Sequence, residues 1–231
     1  MLPKGVKQSI IKDATHASSA ATHYSQEGED IILSRIFPNK QEGFYIDVGA
    51  HHPKRFSNTY LFYLKGWSGV NIDAMPGSMK AFEATRPKDI NLEIPISDTT
   101  ETLTYYSFNE PALNTFSKEE ALKKNGLRNY KIIEEIPLTT RPLSEVLNQH
   151  ISKNKEIDFM TIDVEGLDLT VLKSNDWDTY RPRVVLIEDL KKNIEQITKG
   201  EVYEFMNNKN YSFFAKSYNT LFFIDKSWRF D

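Results

Sequence analysis

Two short apolar runs in this chain end in aspartate. Phe44-Tyr45-Ile46-Asp47-Val48 opens directly into Gly49-Ala50-His51-His52, and Val70-Asn71-Ile72 stops at Asp73. Between them, residues 57–65 space Tyr60, Leu61 and Leu64 as one face of a helix does. Strand, glycine turn, helix and second strand make a β-α-β unit, and an acid at the tip of the second strand stands where both hydroxyls of a ribose can donate to it. Asp73 is therefore the expected ribose acceptor, with Ala74 beside it along the adenine edge. The chemistry implied is the holding of an adenosine-containing cofactor. Gly49 and Ala50 let the turn approach a ligand closely while the following helix start faces a carboxylate. The plainer reading of that pair is an ordinary tight strand-to-helix turn.

A second set of acids closes later apolar runs. Asp163 and Glu165 end the run that begins at Ile157, and Glu188 ends the run from Val184. Side chains at the carboxyl ends of parallel strands line the ligand crevice of such sheets. This reading sets Asp163 near the reacting centre and Glu165 toward the substrate, unless one of them merely caps the helix starting at Leu167. His51 and His52 lie in the first turn, and an imidazole with a reference pKa of about 6.5 suits proton removal near neutrality. His52 is the candidate general base. Hard oxygen ligands with one imidazole also suit magnesium, so His52, Asp163 and Glu188 form a conceivable divalent-metal set, although nothing in their spacing requires one. Ser97 and Asp98, at the end of the third apolar run, are placed to receive an adenine amino group or simply to make a turn.

The elements that must position these residues read as follows. A helix capped by Ser25 carries Ile31, Ile32, Arg35 and Ile36 and ends at Pro38. Strands are expected over 44–48, 69–73, 90–96, 157–163 and 184–188, with helices over 58–64, 78–84, 142–150, from 167 and over 201–207. Residues 103–108 alternate like an extra edge strand, and 211–215 with 221–225 close the chain as a hairpin around Tyr218-Asn219. Strand and helix alternate five times, which predicts an α/β fold with a mostly parallel sheet, helices on both faces and one antiparallel strand inserted by the terminal hairpin. Residues 109–136 are charged and polar with a helix over 118–124, an insertion of the kind that carries substrate contacts or a lid. Residues 1–22 read as a mobile arm and 23–231 as a single domain.

Composition narrows the function further. The chain has no cysteine, which removes thiolate catalysis, disulfides and cysteine metal sites. A formal net charge of −3 with both signs mixed along the chain argues against a nucleic-acid surface. No run approaches the roughly 18 apolar residues of a membrane span, and no apolar block suits a secretory signal, so the expected location is cytoplasmic.

Several segments together resemble the FkbM-type methyltransferases: Tyr24-Ser25-Gln26-Glu27-Gly28-Glu29-Asp30, the Asp47-Val48-Gly49-Ala50 turn, Gly66-Trp67-Ser68-Gly69 leading into Asp73, and Ile157 through Asp163-Val164-Glu165-Gly166. The similarity runs from about Tyr24 to Glu188, and the closing hairpin suits it. The resemblance implies a Rossmann-like methyltransferase sheet, S-adenosylmethionine as cofactor, and O-methylation of a hydroxyl on a sugar, polysaccharide or small natural product. It places Asp47 beneath the methionine moiety, where a carboxylate holds the ammonium group directly or through water. It also makes Gln26 and Asp30, four apart on one helical face, a wall or lid over the cofactor. The chain departs from the family where a small residue and a further glycine commonly follow Gly49-Ala50. Here His51-His52-Pro53 stand instead, so His51 meets the methionine end of the cofactor. Two rival readings remain from the residues alone. One is a cofactor-binding partner or regulatory module without catalysis. The other is an NAD-dependent oxidoreductase, against which the missing Gly-x-Gly-x-x-Gly counts.

Overall fold

The computed structural model of the protein describes residues 21–190 and 193–229. The arm expected over 1–22 falls, except for its last two residues, outside the described part. In chain order the elements are α1 (Glu29–Ile36), β1 (Phe44–Val48), α2 (Tyr60–Leu64), β2 (Ser68–Asp73), α3 (Met79–Thr85), β3 (Ile90–Glu93) and β4 (Thr102–Phe108). A 3-10 turn (Pro111–Leu113), α4 (Lys118–Lys124), β5 (Ile132–Thr139), α5 (Leu143–His150), β6 (Ile157–Ile162) and α6 (Asp168–Ser174) follow. The chain ends with β7 (Pro182–Glu188), α7 (Ile194–Ile197), α8 (Glu201–Asn208), β8 (Tyr211–Lys216) and β9 (Thr220–Asp225).

Seven strands form one sheet in the order β3-β2-β1-β6-β7-β9-β8. The first five are mutually parallel, and β9 enters antiparallel to both β7 and β8. This is the expected Rossmann-like α/β sheet with its antiparallel closing hairpin. All five residues of β1 and all six of β6 are buried, as central parallel strands covered on both faces must be. Alternation sends Ile46, Val48, Met160, Ile162, Val185 and Ile187 to one face, where α5, α6 and α8 supply Val146, Leu147, Leu172 and Met206. Tyr45, Phe159, Val184 and Leu186 go to the other face, against Leu33, Ile36, Phe62 and Trp67. Burying the large aromatics Trp67 and Phe159 stabilises each side chain by roughly 2–3 kcal/mol.

The structure differs from the sequence reading at several elements. β4 joins no edge of the main sheet but pairs antiparallel with β5 in a separate two-stranded ribbon. β5 lies in the stretch read as polar insertion, because Glu134, Glu135 and Pro137 mask its alternation; Pro137 is tolerated because a ribbon strand has an edge with no ladder partner. β3 is shorter than expected and stops at Glu93, since Pro95 lacks a donor and Ile96 bridges to Arg141 instead. Finally, α1 begins after a left-handed Gly28, with Ser25 outside the helix accepting from the Gly28 and Asp30 amides.

Candidate active site

The parallel strand order reverses between β1 and β6, and a crevice opens there at the carboxyl ends of the strands. A cavity of about 360 Å³ fills it, within the range of small-molecule sites. Strand pairing explains why acids converge on it. Asp47 pairs in register with Asn71 and Thr161, and Thr161 in turn with Leu186. One pleat further on, the same sheet face carries Asp73, Asp163 and Glu188, so side-chain alternation alone aims these carboxylates to one side.

The turn after β1 joins the two halves of this crevice. Gly49 has φ +86°, and a Cβ there would lie 1.8 Å from the Asp163 carbonyl oxygen. Only glycine allows that approach. The Gly49 and Ala50 amides both donate to the Ile72 carbonyl, at 2.9 and 3.0 Å, and Asp163 donates its own to Val48. The His51 amide then donates to Asp73 Oδ2 at 2.8 Å, and the Met75 amide to Oδ1 at 2.7 Å. The carboxylate keeps acceptor capacity beyond these two amides, part of it facing the Ser78 hydroxyl. Burial raises the Asp73 carboxyl, and the two amides pull it back.

Beside Asp73 the cavity wall is apolar. Ala74, Met75, Ile94, Ile96 and Tyr105 line it. Ser97 and Asp98 do not: the buried Ser97 donates its amide to the Arg141 carbonyl, and Asp98 is exposed. Their predicted adenine contact is corrected to a turn role, because the chain leaves the crevice at Ile96. Tyr105 could not be found from the strand pattern alone, since only the folding back of the ribbon brings it here.

Asp47 is buried beneath the turn and lines the cavity. Its Oδ2 accepts the Thr59 hydroxyl at 2.7 Å. Burial pushes its carboxyl up to about 6, against the pull of the Arg86 guanidinium and of Thr59. Next to it Asn58 donates to the Thr161 hydroxyl at 2.9 Å, and both line the cavity.

At the far end Asp163, Glu165 and Glu188 each place a carboxylate oxygen within 4.8 Å of the others. Asp163 keeps accessible surface, but that surface faces the concave site, so enclosing protein still desolvates the carboxyl. Its pKa is raised by burial and then by Glu188 and Glu165, and that of Glu188 is raised by burial and its acidic neighbours. Lys124 of α4 forms an ion pair with Glu165, whose backbone is left-handed at φ +52°. Neither Asp163 nor Glu165 caps the following helix. Asp168, the first residue of α6, instead braces the turn before the helix by accepting the Val164 and Gly166 amides at 3.1 and 3.2 Å.

Two further predicted residues stand elsewhere. His52 is exposed and outside the cavity lining, and its Nδ1 accepts the Lys54 and Arg55 amides at 3.1 and 2.9 Å. Burial and the neighbouring cations hold its imidazole below the usual value. The base role and the metal set built on His52 are therefore not assembled; the acids that do meet are Asp163, Glu165 and Glu188, one already paired with lysine. Asp30 is fully buried and binds the Tyr24 amide and Ser25 hydroxyl at 2.7 and 2.8 Å, stapling the loop before α1 rather than facing ligand. Gln26 does reach the cavity rim, but from the loop and not from a shared helix face with Asp30. His51 lines the site; its Nε2 is buried without a hydrogen-bond partner, and burial lowers its pKa.

The roof comes from the insertion. Residues 110–116 and Tyr130 cover the cavity, and Arg55 reaches from the first turn to Glu110 at 3.0 Å. Thr115 donates to the Glu165 carbonyl at 2.7 Å, tying roof to floor. Among the described residues no helix is long and apolar enough to cross a membrane.

No curated protein matches the chain. Solved structures that resemble it include a candidate RNA methyltransferase from Pyrococcus horikoshii, with 10% identity, TM-score 0.45 and 86% of this chain and 83% of that one covered. Others are a TehB-like SAM-dependent methyltransferase from Corynebacterium glutamicum, at 8% identity and TM-score 0.40 over 97% of this chain and 100% of that one, and an O-methyltransferase from Bacillus cereus in complex with SAH, at 9% and 0.40 over 97% and 92%. The sequence from residue 47 to 213 matches the methyltransferase FkbM domain. With that match covering most of the chain and both acidic ends of the crevice, the chain belongs to the FkbM methyltransferase family.

Proposed function

We propose that the cavity binds S-adenosylmethionine with its ribose on Asp73 and its methionine end over Asp47, and that the enzyme methylates a hydroxyl of a neutral acceptor such as a sugar, a polysaccharide or a small natural product. The observation that carries this reading is the Asp73 carboxylate, held by two backbone amides with acceptor capacity to spare, beside an apolar slot. The residues present suit the cofactor: the slot takes an adenine, Asp73 the ribose hydroxyls, and the buried Asp47 an ammonium group. When bound, the cofactor supplies an electrophilic methyl group on sulfur.

The chain's own residues then have to orient the acceptor, take its proton and exclude water. Asp163 and Glu188 repel each other in a desolvated corner, so they retain a proton between them into the neutral range. The ionised member of the pair would accept the proton of an acceptor hydroxyl held beside it. Asn58, Thr161 and the Glu165–Lys124 pair offer donors and acceptors that suit a polyol. An anionic acceptor meets the repulsion of three carboxylates against one lysine. The roof of residues 110–116 limits access of water.

Calorimetric titration with S-adenosylmethionine, S-adenosylhomocysteine and NAD tests the cofactor half. Micromolar binding of the first two and none of NAD is expected. Asp73→Ala should weaken binding by roughly tenfold to a hundredfold, the worth of hydrogen bonds to a charged acceptor. Equal binding of NAD would overturn the assignment. Labelled methyl transfer to neutral and phosphorylated sugars tests the acceptor half, with transfer to the phosphorylated set alone as the contrary result.

A further inference from the structure

Beneath the cavity floor lies a cation that the proposed chemistry does not use. Arg86, immediately after α3, is fully buried. A guanidinium in that position must be paired and hydrogen-bonded. Its Nε donates to Asp89 Oδ2 at 2.9 Å, and its Nη2 donates to the Tyr45 hydroxyl at 2.8 Å and the Thr59 hydroxyl at 3.0 Å. The Thr59 hydroxyl, which accepts from Arg86, gives its own proton to Asp47 Oδ2 at 2.7 Å. Asp89 is further satisfied by the Tyr45 hydroxyl, Asn71 Nδ2 and the Gly69 amide. One buried cation thus serves two buried carboxylates. Asp89 takes it directly, and Asp47 is left with negative charge open to the cavity.

We infer that Arg86 is a positioning residue for the cofactor: through Thr59 it orients the Asp47 carboxylate and keeps it ionised, ready for the cationic amino end of the methionine moiety. The inference rests on the cofactor reading above. Groups facing Asp47 come from every side. Asp73 on β2, Asp89 before β3 and Asp163 beyond β6 repel its charge, Thr59 before α2 donates to it, and among these neighbours Arg86 attracts it. Burial and these acids work to protonate Asp47, and the guanidinium works against them. The direction of the pH effect follows. A cationic group is held only by ionised Asp47, so affinity is full above the Asp47 pKa and falls about tenfold per unit as pH drops below it. Removing Arg86 raises that pKa, so the loss of affinity begins at higher pH.

The test measures affinity for S-adenosylhomocysteine between pH 5.5 and 8 in the wild type, Arg86→Met, Arg86→Lys, Thr59→Val and Thr59→Ser. Alongside it, carbon-13 carboxyl titration of each protein without ligand follows Asp47, its signal assigned by loss in Asp47→Asn. In the wild type both should turn near pH 6. Arg86→Met should move both midpoints up by about one unit or more, with Arg86→Lys restoring them. Thr59→Val, which removes no charge, should move them the same way by less, with Thr59→Ser as its rescue; it decides the matter if Arg86→Met fails to fold. Equal loss of affinity at every pH, with the Asp47 titration unmoved, would show a purely structural Arg86 and overturn the inference. No binding by the wild type at any pH would instead overturn the cofactor reading, while the carboxyl titration still decides whether Arg86 controls Asp47.

Discussion

Asp73 and Asp163 both end parallel strands on the same face of the sheet, yet their surroundings are opposite. Asp73 receives two backbone amides and stands beside an apolar wall. Asp163 stands among Glu165, Glu188 and Asp168, with burial and like charge both driving it toward the protonated form. Donors turn the first carboxylate into a fixed acceptor suited to binding. Crowding raises the second carboxyl well above its ordinary value, which under the proposed function suits it to proton transfer. The two ends of one crevice thus offer a fixed acceptor and a crowded acid, on which the proposed division between binding and proton transfer rests, although each is built from nothing more than an aspartate at a strand end.

The sharpest way to break this division is Asp163→Asn. Methyl transfer should fall by roughly a hundredfold to ten-thousandfold, the usual worth of a positioned base, while affinity for S-adenosylhomocysteine stays within a few-fold. A loss of affinity as large as that of Asp73→Ala would erase the distinction. Next comes Gly49→Ala, at the seam between the ends. Its Cβ would collide with the Asp163 carbonyl, and its φ of +86° is left-handed. Destabilisation of at least about 2 kcal/mol is expected in urea unfolding, with both binding and transfer impaired.

Lys124→Ala should sharpen the comparison from the catalytic side alone. It removes the cation that lowers the Glu188 carboxyl, so the acidic limb of the pH–rate profile should move upward by up to about one unit. The sign is fixed because the base must be ionised to act, and a raised pKa delays ionisation as pH climbs. Cofactor affinity at pH 8 should not change. The smallest effect belongs to Arg55→Ala. The Arg55–Glu110 pair is solvent-exposed, so the melting temperature should shift by less than about 2 °C. A larger shift would mean that the roof helps to hold the fold.

Much of the binding end is legible in the sequence. Strand β1 has the bounds that its apolar run predicts, and the Asp47, Gly49 and Asp73 pattern needs only local hydrophobic runs and one turn. At the catalytic end the acids are legible and their company is not. Lys124 lies 41 residues from Glu165 in sequence, and only the packing of α4 over the turn after β6 joins them. His52 misleads for a related reason. Its type suits a base, but the turn points its ring outward, where Nδ1 satisfies two amides of its own loop. Ser97 and Asp98 fail as adenine contacts because a proline after Ile94 bends the chain away two residues before them.

By itself the sequence determined the sheet, the order of its helices and which carboxylates stand at strand ends, because those follow from local periodicity and from alternation along a strand. The ribbon roof, Tyr105 in the apolar cavity wall, Arg86 beneath Asp47 and the pairing of Lys124 with Glu165 were decided only by tertiary structure. Each of these depends on residues far apart in the chain meeting where water is scarce, and it is there that a charge must find its partner.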